Sequence, residues 1–323
     1  MPITSQQQTD EHFMRMALQE ANQALAEGEI PIGAVVVARG RIIARAHNLT
    51  ETLHDVTAHA EMQAITAAAN LLGGKYLTDC TLYVTVEPCV MCAGAIGWAQ
   101  IKRVVYGAPD EKRGYARLAP HAFHPKCNVL TGVLEAECRE LNRRFITFNE
   151  KRRPYIILKW AQTANGFLDN EGKGMAVSSA FTKMLSHKLR AENDAILVGR
   201  VTDERDHSQL NVRDWYGKNP VRLVIDRHHP CFDGLDFSKG KAEVLRQIMN
   251  FLYINKVQSL IVEGGAITHQ SFLDAGLWDE IRIETATSKF VKTGTEAPRL
   301  PHDVKPISHK EYDDNVIDIY ERA

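Results

Sequence analysis

Residues 80–92, CTLYVTVEPCVMC, decide how the chain is read. The run TLYVTV (81–86) is short, apolar and rich in β-branched and aromatic residues, which predicts a buried strand. A helix is predicted from about Met91 to Gln100, so Pro88-Cys89-Val90-Met91-Cys92 stands where the strand hands over to the helix. Residues three apart share a helix face, and the positive end of a helix favours thiolate over thiol. Upstream, His59-Ala60-Glu61 opens another predicted helix, from about Ala58 to Leu72, after the turn-like stretch His54-Asp55-Val56-Thr57. One histidine and two cysteines offer three ligands to tetrahedral Zn²⁺ and leave the fourth place to water, which separates a catalytic zinc from a structural one. Glu61 is then a carboxylate beside that water, able to take a proton and later deliver it. An isolated C-x-x-C is often a redox pair or half of a structural zinc site. No second C-x-x-C exists here, and Cys80, Cys127, Cys138 and Cys231 are scattered and read as small apolar residues.

Outward from this segment, strands alternate with helices. Phe13, Met16, Ala17, Ala21, Ala24 and Leu25 follow a helical period over 11–28. IPIGAVVVARGRIIARA (30–46) reads as two strands joined at Arg39-Gly40-Arg41. A strand at 103–108 and a charged helix at 134–145 complete a layered α/β domain. The polar run Asn149-Glu150-Lys151-Arg152-Arg153-Pro154 marks the boundary, because Pro154 disfavours helix in the residue before it. Beyond it come a strand at 155–161, a helix at 179–192, strands at 194–199 and 221–226, a helix at 241–255, a strand at 259–265 and a helix at 267–275. The expected organisation is two α/β domains, 1–150 and 151–323, with almost no linker.

The 323 residues are 44% hydrophobic and 24% charged, as in a folded globular chain, and their length suits two domains. The net charge of −1 excludes a protein that holds nucleic acid or anionic membrane by bulk charge. Locally, residues 102–126 carry six basic groups (Lys102, Arg103, Lys112, Arg113, Arg117 and Lys126) against Asp110 and Glu111, with Tyr115 and Phe123 expected to be free for base stacking. The opening MPITSQQQTDEHF lacks a signal-peptide pattern and no apolar run approaches membrane-spanning length. Sparse cysteines fit a reducing compartment. A cytoplasmic protein without a membrane partner is expected.

The pattern H-x-E…P-C-x-x-C is the signature of the zinc deaminases. From about Asp10 to Leu141 the chain resembles the bacterial tRNA adenosine deaminases, which convert the wobble adenosine to inosine. The segments that carry the resemblance are GEIPIGAVVV, AHNLTETLHDVTAHAEMQAI, CTLYVTVEPCVMCAGAI, IKRVVYGAPDEKRG and HPKCNVLTGVLEAEC. It implies a cytidine-deaminase-like three-layer α/β/α domain. His59, Cys89 and Cys92 would hold Zn²⁺, and Glu61 would shuttle the proton. Asn48 would contact the purine, Asp55 would lie at the pocket mouth, and the amide of Ala60 would help position the water. The partner would be a tRNA anticodon loop. Apolar Ile30 and Val86 are candidates either for the wall around a flipped base or for plain core.

The second half resembles the reductase domain of the bifunctional riboflavin-biosynthesis deaminase/reductase. The resemblance runs through ECRELNRRFITFNEKRRPYIILKWAQTANGF, LRAENDAILVGRVT, QLNVRDW, NPVRLVIDR, SLIVEGGAITHQSFLDAGLWDE and FVKTGTEAP. It implies a dihydrofolate-reductase-like α/β fold, with NADPH held by Lys159, Gly199, Thr202, Gly264 and Gly265. A phosphoribosyl-pyrimidine substrate would be met by Ser178, Arg190 and Arg213. Four departures weigh against reductase turnover. Asn165 stands where the family has Asp, and Ala176-Val177-Ser178 where it has an aromatic. Asp206-His207-Ser208 replaces D-N-P, and the stretch between Asp226 and Phe237 is shortened by a strand or more. The domain order matches the riboflavin enzyme, whose deaminase would make the free pyrimidine the alternative substrate. That deaminase, however, spaces its zinc cysteines further apart around a G-x-T-P-P insert. Both families resemble dimers, so a homodimer is expected.

Overall fold

The computed structural model describes residues 5–322 except 207, 208, 228–230 and 233. His207 and Ser208, and part of the stretch between Asp226 and Phe237, therefore lie outside the described residues. The chain forms two compact units, one ending at Glu150 and the other starting at Lys151.

In the first unit, α1 (Ser5–Ala26) buries Phe13, Met14, Ala17, Ala21 and Ala24 on one face. Next come β1 (Gly33–Ala38) and β2 (Arg41–His47), an antiparallel hairpin turned by Arg39 and Gly40 at φ 49° and 73°. Two residues with positive φ twist the strands in the direction a hairpin needs. Then follow α2 (Ala60–Leu72), β3 (Cys80–Val86), α3 (Val90–Trp98), β4 (Arg103–Ala108), the short α4 (Tyr115–Leu118), β5 (Asn128–Thr131), α5 (Glu135–Leu141) and α6 (Arg143–Lys151). The sheet order is β2-β1-β3-β4-β5, with β3, β4 and β5 parallel.

Side chains of a strand alternate between faces, and here each face has its own core. Ala34, Val36, Leu82, Val84 and Val104 pack with Ala60, Ala64 and Ala68 of α2 and Ala93 and Ile96 of α3. Val35, Val37, Tyr83 and Val105 pack with Phe13, Met14 and Ala17 of α1. This is the three-layer α/β/α arrangement. The alanine face of α2 and Gly33 permit close approach, since a Cβ on Gly33 would overlap the Ala17 carbonyl oxygen.

The second unit contains β6 (Tyr155–Thr163), α7 (Ala180–Ala191), β7 (Ala195–Gly199), α8 (Arg200–Asp206), β8 (Val221–Ile225), α9 (Lys241–Ile254), β9 (Ser259–Gly264), α10 (Ala266–Asp274) and β10 (Glu280–Ala286). It closes with the hairpin β11 (Pro306–Tyr312) and β12 (Asn315–Glu321). The sheet order is β11-β12-β10-β6-β9-β7-β8, with β10, β6, β9, β7 and β8 parallel. Ile156, Leu158, Leu197 and Val262 face α9 and α10, while Ile157, Ile196 and Ile261 face Leu189 of α7.

Three expectations change. The helix expected over 134–145 is two helices, because buried Asn142 donates to the Pro31 and Cys138 carbonyls between them. At the boundary, Lys151 and Arg153 both bind Asp279, which also accepts from the Ile156 amide. Tyr115 and Phe123 are each 8% exposed, with ring centroids 4.1 Å apart inside the core, so neither is free to stack on a base. Arg103 is not a free cation, because it forms a two-pronged ion pair with buried Asp10 at 2.6 and 2.8 Å. Among the described residues no helix is long and apolar enough to cross a membrane.

Asp10 also accepts from the Tyr83 hydroxyl at 2.8 Å. Burial opposes its charge, but Arg103 and Tyr83 outweigh that and hold its carboxyl below the ordinary range. A depressed folded-state pKa stabilises the fold above the unfolded value, and the benefit fades as pH falls through the folded one. Asp10→Ala strands a half-buried guanidinium and should cost about 3 kcal/mol in urea unfolding at neutral pH. The difference from wild type should shrink in acid.

Candidate functional site

His59 and Cys89 occupy equivalent places. Each is the extended residue immediately before a helix, α2 or α3, and neither side chain caps its own helix. Both side chains turn to each other and to Cys92, one turn into α3. His59 Nδ1 lies 3.6 Å from Cys89 Sγ and 3.5 Å from Cys92 Sγ, and all three ligand atoms fall within 4.8 Å of one another. Zinc bonds of about 2.0 Å to nitrogen and 2.3 Å to thiolate, at tetrahedral angles, separate N from S by about 3.5 Å. The donor set and its spacing therefore fit Zn²⁺.

The electrostatics agree. The Cys92 thiol, and after it His59, hold Cys89 down at about 4 against the opposing push of burial. Cys92 is pushed up, first by Cys89 and then by burial. His59 is raised, chiefly by Cys89, while burial and the charge of Arg113 oppose it. Two thiols and an imidazole so placed share protons that a divalent cation displaces. Glu61, 3% exposed, is pushed up to about 7, chiefly by burial. Its Oε2 has no hydrogen-bond partner. A buried carboxylate oxygen without a partner is costly, and a water beside the ligands is the group it lacks.

Of the other expected residues in this unit, Ala60 is fully buried as the first residue of α2, where amides lack a partner within the helix. Asn48 is 2% exposed, and the Leu49 amide bonds to the Ala58 carbonyl, which sets Asn48 beside the His59 segment. Its Nδ2 donates to Thr50 at 3.4 Å, while its Oδ1 is unpartnered. Asp55 is exposed and accepts from the Thr57 amide and hydroxyl, fixing the turn before His59. Val86 is buried and Ile30 half-buried. Cys80 and Cys138 lie in the cores and Cys127 packs beside them, but Cys231 is exposed and has no packing role.

Sequence reasoning passed over two buried carboxylates. Glu29 accepts from the amides of Glu51 and Thr52 and from the Thr50 hydroxyl, so it shapes the turn that carries Asn48. Glu87 accepts from the amides of Asp110 and Ala116. Both stand directly beside apolar or proline residues (Glu29-Ile30-Pro31 and Val86-Glu87-Pro88), a setting in which an acid needs a partner.

In the second unit, Gly199 and Gly264 end the adjacent parallel strands β7 and β9, the end where open α/β sheets take ligands. A Cβ on Gly264 or Gly265 would press on Thr202, and one on Gly199 would overlap Thr268. Gly199, Thr202, Gly264 and Gly265 thus meet ahead of α10, and Lys159 is half-buried on β6. The expected substrate residues are tied elsewhere. Arg190 grips Glu263 at 2.9 and 2.6 Å. Ser178 donates to buried Glu284 at 2.7 Å. Arg213 is exposed and bonds Asn211. Asn165 donates to the Val291 carbonyl and accepts from the Thr163 hydroxyl, a pairing that an ionised Asp could not complete.

The family model of the cytidine and deoxycytidylate deaminase zinc-binding region matches residues 7–108, and that of the RibD C-terminal domain matches 154–291. The tRNA-specific adenosine deaminase of Agrobacterium fabrum is 48% identical over 146 residues, 44% of this chain and 95% of that protein. That of Bacillus subtilis is 46% identical over 149 residues, 45% of this chain and 91% of that protein. Among solved structures, a diaminohydroxyphosphoribosylaminopyrimidine deaminase/5-amino-6-(5-phosphoribosylamino)uracil reductase from Thermotoga maritima superposes with a TM-score of 0.80 at 26% identity. It covers 98% of this chain and 100% of that one.

Replacing Cys92 with Ala should cut the purified protein's zinc from equimolar to trace, as read by atomic emission, while the fold's circular dichroism persists. The chain belongs to the family of the tRNA-specific adenosine deaminases, within the zinc-binding cytidine and deoxycytidylate deaminases, and joins to that deaminase half a RibD C-terminal domain.

Proposed function

We propose that the first unit hydrolytically deaminates the wobble adenosine of a tRNA anticodon loop to inosine. The observation that carries this reading is the buried, partnerless carboxylate oxygen of Glu61 beside the converged His59, Cys89 and Cys92. The tight PCVMC spacing and the identity to tRNA-specific adenosine deaminases favour adenosine over the free pyrimidine.

His59, Cys89 and Cys92 would hold Zn²⁺, which would supply the Lewis acidity that acidifies a water near neutral pH. Glu61 would take one proton from the water as its oxygen adds to C6 and deliver it to the ring nitrogen, which keeps it; it would then take the second proton, from the new hydroxyl, and give it to the amine as the C6–N bond breaks, so that ammonia leaves. Its raised pKa suits both directions of transfer near neutrality. The Ala60 amide orients the oxygen, Asn48 meets the purine edge, and Asp55 stands at the mouth. RNA readers take single-stranded bases out of the stack, which an anticodon loop allows at low cost. The same reading includes a cytoplasmic setting, in keeping with six unbridged cysteines, and a homodimeric assembly.

In the second unit, Gly199, Thr202, Gly264, Gly265 and Lys159 are proposed to bind NADPH, with the Gly264-Gly265 turn and the start of α10 receiving phosphate. Ser178, Arg190 and Arg213 are the proposed substrate contacts. The internal pairing of Ser178 and Arg190 argues that this unit binds without turning over.

Glu61→Ala should abolish inosine formation in an anticodon stem-loop while leaving zinc bound; undiminished editing would refute the assignment. Calorimetry should detect NADPH binding, lost in Thr202→Arg, with no NADPH consumption on adding the phosphoribosyl-aminopyrimidine. Steady consumption would instead favour the riboflavin-pathway reading.

A further inference from the structure

Glu87 is 7% exposed, yet it contacts none of the three metal ligands through its carboxylate. Instead it bridges the two ends of the loop 110–116, accepting from the Asp110 amide at 3.0 Å and the Ala116 amide at 2.9 Å. The middle of that loop lies on the ligand segment. Gly114 forms an antiparallel bridge with Cys89, and the Tyr115 amide donates to the Pro88 carbonyl at 3.0 Å. Gly114 is buried so tightly against the clamp that a Cβ there would overlap the Glu87 carboxyl group. Arg113, the residue before it, is exposed and adjoins the Cys89 bridge, and its amide donates to Asp110 Oδ1 at 2.9 Å.

We propose that Glu87 is a positioning residue: it pins the loop 110–116 to the Pro88-Cys89 segment and so aims Arg113 across the mouth of the zinc site, where it meets a phosphate of the RNA flanking the reacting base. The assignment rests on the RNA reading above. Phosphate contacts fix register and not chemistry, so the effect belongs in KM. Gln cannot replace Glu87, because its amide offers one acceptor and turns donors towards the second N–H.

The test is steady-state editing of an anticodon stem-loop with adenosine at the wobble position, with zinc content measured in parallel. Glu87→Gln, Gly114→Ala and Arg113→Gln should each raise KM about tenfold, the worth of one charge-assisted hydrogen bond. kcat and zinc content should hold. Adding Arg113→Gln to either clamp variant should raise KM no further, since a mispositioned arginine has nothing left to lose. If Glu87→Gln fails to fold, Gly114→Ala reads the same contact from the loop side. Unchanged KM, multiplying effects, or loss of zinc overturns the assignment. A wild-type protein that leaves the stem-loop adenosine intact sinks the RNA reading and this one with it; wild-type editing with unaltered variants sinks this one alone.

Discussion

The convergence of one imidazole and two thiol groups at two helix starts is the constraint on which the first unit turns. His59 and Cys89 stand where a serine or aspartate would ordinarily cap a helix, and neither caps. Their side chains are committed to each other, which leaves both helix starts with uncapped amides. The alanine face of α2 and the almost wholly buried β3 set those starts so that His59 Nδ1 and Cys89 Sγ lie 3.6 Å apart. A cation there replaces shared protons and draws on the positive helix ends to stabilise the thiolates around it.

Around that centre, the polar residues are arranged as supports. Glu29 shapes the turn after Asn48, Asp55 the turn before His59, and Glu87 the loop that faces Cys89. Each uses backbone N–H groups as partners, which strand–helix connections have in surplus. The second unit uses its charges differently. Arg190–Glu263 and the Glu284 node, which gathers Ser178, Thr182 and Asn315, knit helix to sheet. Those groups are spent inside the fold, whereas Glu61 and Asn48 each keep an unpartnered oxygen.

The metal centre was legible because its chemistry demands residue types rare in that spacing, and because apolar periodicity marks the helices and strands that carry them. What stayed hidden has physical causes. Glu280 and Glu284 are buried on β10, so the strand reads as polar, and β11 is largely exposed with no apolar face to announce it. The break at Asn142 depends on the distant Pro31 carbonyl. Tyr115 and Phe123 sit in a basic segment and look like a nucleic-acid surface, yet they pack on each other. Arg103 looks like part of the same surface, yet its partner is ninety-three residues away in α1. Sequence shows which groups need partners, but not which distant groups supply them.

The central claim is that three protein ligands hold a zinc ion whose fourth place is open. Zinc-edge X-ray absorption on the purified protein tests it most directly. Two sulfur neighbours at about 2.3 Å and two nitrogen or oxygen neighbours at about 2.0 Å, one of them exchangeable, are expected. A shell of four sulfurs, or a protein that folds and edits with no zinc at all, would contradict it.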